Sequence, residues 1–126
     1  MNLPQRLAQL FADLQSLVET ERPDEIAVEE GFLGRNVKTA LIMGQTRGVA
    51  LLAAALANIA VFLYPPREVK LSLTGNGAAS KEQVAFMVRT LLKLENASLP
   101  EDSSDALAVA LCRCQRRRFE ARYSGS

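Results

Sequence analysis

The chain has 126 residues, 48% of them hydrophobic, with 15 Lys and Arg against 14 Asp and Glu and no histidine. That length suits a single domain spanning 1–126 with a modest core, and the lack of histidine excludes Ser-His-Asp and Cys-His catalysis and every His-ligated metal site. Charge is uneven: residues 1–66 carry 5 basic and 7 acidic side chains, residues 67–126 carry 10 and 7, so the second half is the side expected to meet phosphate.

The first element is an amphipathic helix: in "LPQRLAQLFADLQSLVET", Leu3, Leu7, Leu10, Leu14 and Leu17 share one face, and Pro4 sits in the first turn. "RPDEIAVEE" follows as a loop and a short strand, Glu25 to Glu29, and "GFLGRN" as a second loop. The length and small-residue content of "VKTALIMGQTRGVALLAAALAN" predict a long, largely buried helix. The apolar run Gly48–Tyr64 is broken at Asn58 and is short for a membrane span, and no charged-then-apolar leader opens the chain. A cytoplasmic protein with no membrane segment is the expectation. "AVFLY", Ala60–Tyr64, is the second strand, and the helix between the two makes a parallel crossover.

"PPREVKLSLTGNGAAS" reads as a loop with one helical turn at most. "KEQVAFMVRTLLKL" is a helix opened by a capping box, Ser80 with Gln83. The last helix is predicted to begin near Asp102 and to end in the basic "CRCQRRRFEAR", where Arg116–Arg118 is read as a soluble helix end. Cys112 and Cys114, two apart on that helix, do not face each other, so reduced thiols in a reducing compartment are expected. Four helices and two parallel strands leave a sheet with two open edges, as if strands were missing before Met1. Strand exchange or self-pairing would hide those edges.

Four constellations could carry chemistry. Along the first strand Ala27 and Glu29 share one face, Val28 and Glu30 the other, so one of the two acids must point toward the helices. A carboxylate so placed needs a partner or a cation, unless both acids are solvated at a frayed end. Asp102 and Asp105 are one helical turn apart. They are either an N-cap and a first-turn acid or part of a metal site, which would need a third acid such as Glu29. In "PPREVKLSLTGNGAASK", Gly75 and Gly77 permit close backbone approach, and Arg67, Lys70 and Lys81 supply charge for a phosphate; a plain turn before a capped helix is the alternative. In "GFLGRN", Phe32 beside Arg35 combines stacking with charge, unless Phe32 is a core residue.

In this order the segments "LPQRLAQLF", "IAVEEGFLGRN", "LIMGQTRGVALLAA", "PPREVKLSLTGNGAASKEQVAFMVRTLLKL" and "DSSDALAVAL" resemble the RuvC family of Holliday-junction resolvases. The resemblance implies an α/β, RNase H-like fold, a mixed sheet flanked by helices, here without its opening β-strands. It implies a structure-selective endonuclease that uses Mg²⁺, with Mn²⁺ as a substitute, to hydrolyse phosphodiesters in four-way junction DNA during recombination and repair. Glu29, Asp102 and Asp105 match the family's acidic positions. Phe32 and Arg35 fall in its base-probing loop, and Lys70 and Lys81 would contact the scissile phosphate region. The helix around Gln45–Gly48 would lie at a homodimer interface, and a branch-migration helicase is the implied partner. The family's fourth acid, on a first strand within roughly 30–40 residues of opening strands, is not among these residues. A weakly active or inactive chain is therefore expected. The alternatives are a noncatalytic DNA-binding or scaffold protein, or a helical interaction protein in which the aspartates only cap.

Overall fold

The computed structural model describes residues 1–31 and 36–123, so Phe32 and Arg35 lie outside the described residues. The elements run α1 (Leu3–Glu21), β1 (Glu25–Glu29), α2 (Val37–Leu56), β2 (Ala60–Tyr64), α3 (Pro66–Thr74), α4 (Lys81–Leu91) and α5 (Glu101–Tyr123). β1 and β2 form a two-stranded parallel sheet. By their contacts the residues fall into two compact units, one holding α1 and α2, the other holding residues 27–31 and everything from Phe62 onward.

The first unit is a helix pair. A reciprocal capping box opens α1: the Asn2 side chain accepts the Gln5 amide N–H at 2.9 Å, and the Gln5 side chain accepts the Asn2 N–H at 2.9 Å. Arg22, left-handed at φ 47°, closes it. Asn36 caps α2 by accepting the Thr39 N–H at 3.1 Å. Asn58, also left-handed at φ 59°, turns the chain toward β2. α1 packs on α2, and Phe11, Val18, Ala53 and Leu56 line a shallow cavity between them.

The expectation that α2 is largely buried fails. Only Ala53 and Ala54 are buried, while Val37, Leu41, Ile42, Leu52 and Leu56 stand exposed. A helix with one packing neighbour in its unit buries one stripe and leaves the rest to solvent. Twenty residues long with a mean hydropathy of 1.4, α2 is the one described helix long and apolar enough to cross a membrane, by length and composition alone.

The second unit has a compact core built from three helical pairs at i, i+4 spacing: Val69 with Leu73 on α3, Val84 with Val88 on α4, and Ala108 with Cys112 on α5. The segment after Pro65, expected to hold one turn at most, is a nine-residue helix. Pro66 occupies its first turn, where a missing N–H costs nothing, and Gly75 closes it at φ 79° with its N–H donating to the Leu71 carbonyl at 2.9 Å. Val69 and Leu73 then supply the burial that a Ser- and Thr-containing segment lacks in propensity. The Ser80–Gln83 capping box of α4 is present in both directions.

α5 begins at Glu101, not at Asp102, and the Pro100 carbonyl accepts the Ser104 N–H at 3.0 Å. Asp102 is thus already inside the first turn, and the reading of it as the cap does not hold. Further along α5, Arg113 is 7% exposed. Its guanidinium lies 3.4 Å from the Phe62 ring centre, donates to the Tyr64 hydroxyl at 3.1 Å and meets Glu120 at 3.4 Å. The Tyr64 carbonyl accepts the Glu30 N–H at 2.8 Å, so one residue of β2 is tied both to α5 and to the end of β1. Cys112 is buried and Cys114 exposed, both as free thiols.

Candidate active site

Strand alternation decides between the two acids at the end of β1. Ala27 packs against the core, and Glu29, two residues on, projects to the same side, over the helices. There it lines a cleft of about 80 Å³ whose walls come from four elements: Glu29 from β1, Lys70 from α3, Lys81 from α4 and Asp105 from α5. Val69, Val84 and Ala108, all buried, form an apolar floor. Each wall residue is delivered by a local signal: the alternation of β1, the Pro66 start of α3, the capping box that makes Lys81 the first residue of α4, and the first turns of α5.

The electrostatics of the cleft are those of two carboxylates held near each other. Glu29 keeps solvent contact, yet its pKa is raised, first by desolvation against the apolar floor and then by the negative charge of Asp105; Lys81 and Lys70 pull it back. Lys81 faces both sides of the mouth, with its ammonium 3.9 Å from Asp105 and 2.5 Å from the Glu101 carboxylate. The hydrogen bond to Glu101, with help from Asp105, raises the Lys81 pKa, and the same bond lowers that of Glu101. Glu101 was not singled out in the sequence; its place one residue before Asp102, at the head of α5, was the only available signal.

The other sequence candidates are placed differently. Asp102 is exposed, one turn before Asp105, and does not line the cleft. Among the described residues no group of three or more acids or thiols stands close enough to hold a metal ion. The glycines of the α3–α4 connection do not form a phosphate cradle. Gly75 ends α3, and Gly77 makes room for Arg67, whose Cγ and Cζ would stand 2.9 Å from a Cβ at that position. Arg67 is therefore committed to the loop, while Lys70 and Lys81 reach the cleft.

A divalent cation suits the donors present. Glu29 and Asp105 are hard oxygen ligands whose mutual repulsion a cation would relieve. At about 80 Å³ the cleft has room for a small hydrated cation, and Mg²⁺ commonly binds through one or two carboxylates while keeping water and substrate oxygens.

The sequence profile described as crossover junction endodeoxyribonuclease RuvC matches residues 1–113, a span that includes all four cleft walls. The chain is 47% identical over 117 residues to the crossover junction endodeoxyribonuclease RuvC of Brevibacillus brevis, covering 93% of this chain and 70% of that protein. It is 53% identical over 107 residues to that of Heliobacterium modesticaldum, covering 85% and 66%. The solved structure of Thermus thermophilus RuvC superposes with a TM-score of 0.86 at 37% identity, covering 94% of this chain and 72% of that one. The same protein in complex with a Holliday junction substrate superposes at 0.87 over the same shares.

Proposed function

The chain belongs to the RuvC family of crossover junction endodeoxyribonucleases, and from that premise we propose that its cleft is the site at which a phosphodiester of a four-way DNA junction is bound and hydrolysed. The observation that carries this reading is the meeting of Glu29, Asp105, Lys70 and Lys81 in one small cleft inside the family-matched span. Glu29 and Asp105 would hold a divalent cation, Mg²⁺ or Mn²⁺; Asp102, exposed one turn earlier on α5 and outside the cleft, would have to turn toward them to join as a third ligand. Bound there, such a cation supplies Lewis-acid activation of water and neutralises charge on the phosphate. Lys70 and Lys81 meet the phosphate oxygens from two walls, and each contact adds a salt-sensitive share of affinity. Val69, Val84 and Ala108 keep the floor dry, which strengthens every charge interaction above it. Phe32 and Arg35 would add stacking and charge against the bases at the crossover.

Residues 1–126 supply Glu29, Asp102 and Asp105, and the fourth acid that the resemblance implies is not among them. These 126 residues on their own are therefore expected to bind junctions and to cleave them slowly or not at all. The noncatalytic DNA-binding reading draws on one observation, that no three-acid group stands together among the described residues.

A homodimer through α2 completes the proposal. Val37, Leu41, Gln45, Gly48, Leu52 and Leu56 follow one helical face, and every one of them is exposed. An apolar face of that length calls for a cover, and a two-fold partner would present the same stripe. The branch-migration helicase and the cytoplasmic setting follow from the resemblance. The test is cleavage and binding of a labelled four-way junction by this chain in Mn²⁺, beside Glu29→Gln. Junction-preferring binding with slow or absent nicking is the expected result. Rapid nicking that Glu29→Gln abolishes would show that the acids present suffice, and equal affinity for junction and linear duplex would overturn the reading.

A further inference from the structure

Lys81 is in an unusual place for a cation. It is the first residue of α4, directly after the Ser80 cap, where the positive end of the helix dipole disfavours it. Two carboxylates offset that penalty. Asp105 lies inside the cleft at 3.9 Å, and Glu101, from the first turn of α5, lies outside it at 2.5 Å. Glu101 belongs to a second cavity, of about 270 Å³, lined also by Glu82, Leu99 and Ser104, and the two cavities share only Lys81 and Asp105. Lys81 and Asp105 therefore stand together between an inner and an outer space, with Glu29 on the inner side and Glu101 on the outer.

We propose that Glu101 is a positioning residue for Lys81: it holds the ammonium at the mouth of the Glu29–Asp105 cleft and surrenders it to a DNA phosphate as the strand enters. The proposal rests on the reading of Lys81 as a phosphate contact. The pair suits a releasable hold. Both side chains are 67% exposed, so the bond is screened and weak enough to exchange, and the four-carbon lysine stem can swing from one anion to the next. Glu101 lines only the outer cavity, so releasing the lysine toward the inner one disturbs no cleft wall.

Exchange has a signature that a merely structural role lacks. When a phosphate replaces Glu101 on Lys81, the freed carboxylate gathers cations of its own, so the net release of salt ions is smaller than for an unpaired lysine. Glu101→Gln frees the lysine beforehand. Binding of a labelled four-way junction, with divalent metal chelated, is measured across salt concentrations for the wild type, Glu101→Gln, Lys81→Ala and the double variant. Glu101→Gln is expected to tighten binding between about two- and five-fold and to steepen the log–log salt slope by up to about 0.9. In the Lys81→Ala background both effects should vanish. The same tightening with and without Lys81 would mean that Glu101 acts only as bulk negative charge, and would overturn the inference while leaving the phosphate-binding reading intact. If Lys81→Ala alone leaves affinity unchanged, both fall together. Unchanged circular dichroism and melting temperature for Glu101→Gln, an exposed near-isostere, are part of the expected result.

Discussion

Arg113→Ala is the substitution with the largest expected consequence for the folded unit that carries the cleft. The guanidinium sits 3.4 Å from the Phe62 ring centre in a site that is 7% exposed, a desolvated cation–π contact of about 2 kcal/mol. Its bond to the Tyr64 hydroxyl would be lost and the hydroxyl stranded, which costs about 1–3 kcal/mol. Relief of the burial of one charge offsets part of this, leaving a net loss of about 3 kcal/mol. Tyr64→Phe, which leaves the guanidinium its ring and Glu120, should cost only about 1 kcal/mol. The assay is urea unfolding followed by tyrosine emission. Both tyrosines, Tyr64 and Tyr123, lie in this unit and the chain has no tryptophan, so the signal reports this unit. With a slope of about 1.5 kcal/mol per molar, the Arg113→Ala midpoint should fall by about 2 M. A fall below about 0.5 M, or equal effects from the two substitutions, would refute the argument that Arg113 fastens β2 to α5.

Gly77→Ala should cost about 1–2 kcal/mol because its Cβ meets Arg67 at 2.9 Å, and Arg67→Ala in the same chain should recover most of that; no recovery would place the strain elsewhere. The folded chain retains a proton on Glu29 that the unfolded chain releases, since its pKa is raised above 4.5 when folded. Stability contributed by the protonated form is therefore lost as pH rises from 4.5 through the raised value, and Glu29→Gln should flatten that slope and be the more stable form above it, as read from urea midpoints at several pH values. Val88→Ala, at a fully buried position, should cost about 2 kcal/mol without changing the unfolding slope. Sedimentation at micromolar concentration should show a dimer that Leu41→Glu with Leu52→Glu converts to monomer; a wild-type monomer would sink the α2 interface.

Much of this structure was legible in the sequence, for reasons that differ by element. The stripe of α1, the alternation of β1, the Asn58 break and the Ser80–Gln83 capping box are local signals, each complete within a few residues, and they appear where the pattern put them except at Leu17, which stands exposed while Val18 beside it is half-buried. α3 escaped because its helix is made by tertiary burial of Val69 and Leu73, in a segment whose prolines and glycines look like punctuation. Pro66 at the start and Gly75 after the end were the signals that could have revealed it. The exposure of α2 was not legible, because apolar content reports what a helix prefers to bury and not whether a neighbour is there to bury it. At the cleft, Glu29, Asp105, Lys70 and Lys81 were singled out and the structure brings them together. Asp102 stays outside because i, i+3 spacing shares a face of the helix without guaranteeing that both residues reach the same hollow. Glu101 was invisible until the start of α4 was seen to face the start of α5.

Residues 27–31 belong by contact to the unit of α3, α4 and α5, although in the chain they lie between α1 and α2. Within the helix pair only Ala53 and Ala54 are buried, so its amides should exchange with solvent through shallow local openings, long before those of α5 do. Glu29 does not share that fate. Its strand end is pinned by the Glu30 to Tyr64 bond and moves with the slowly exchanging half. The carboxylate from the early part of the chain can thus keep its distance from Asp105 while the helices that flank it in sequence breathe.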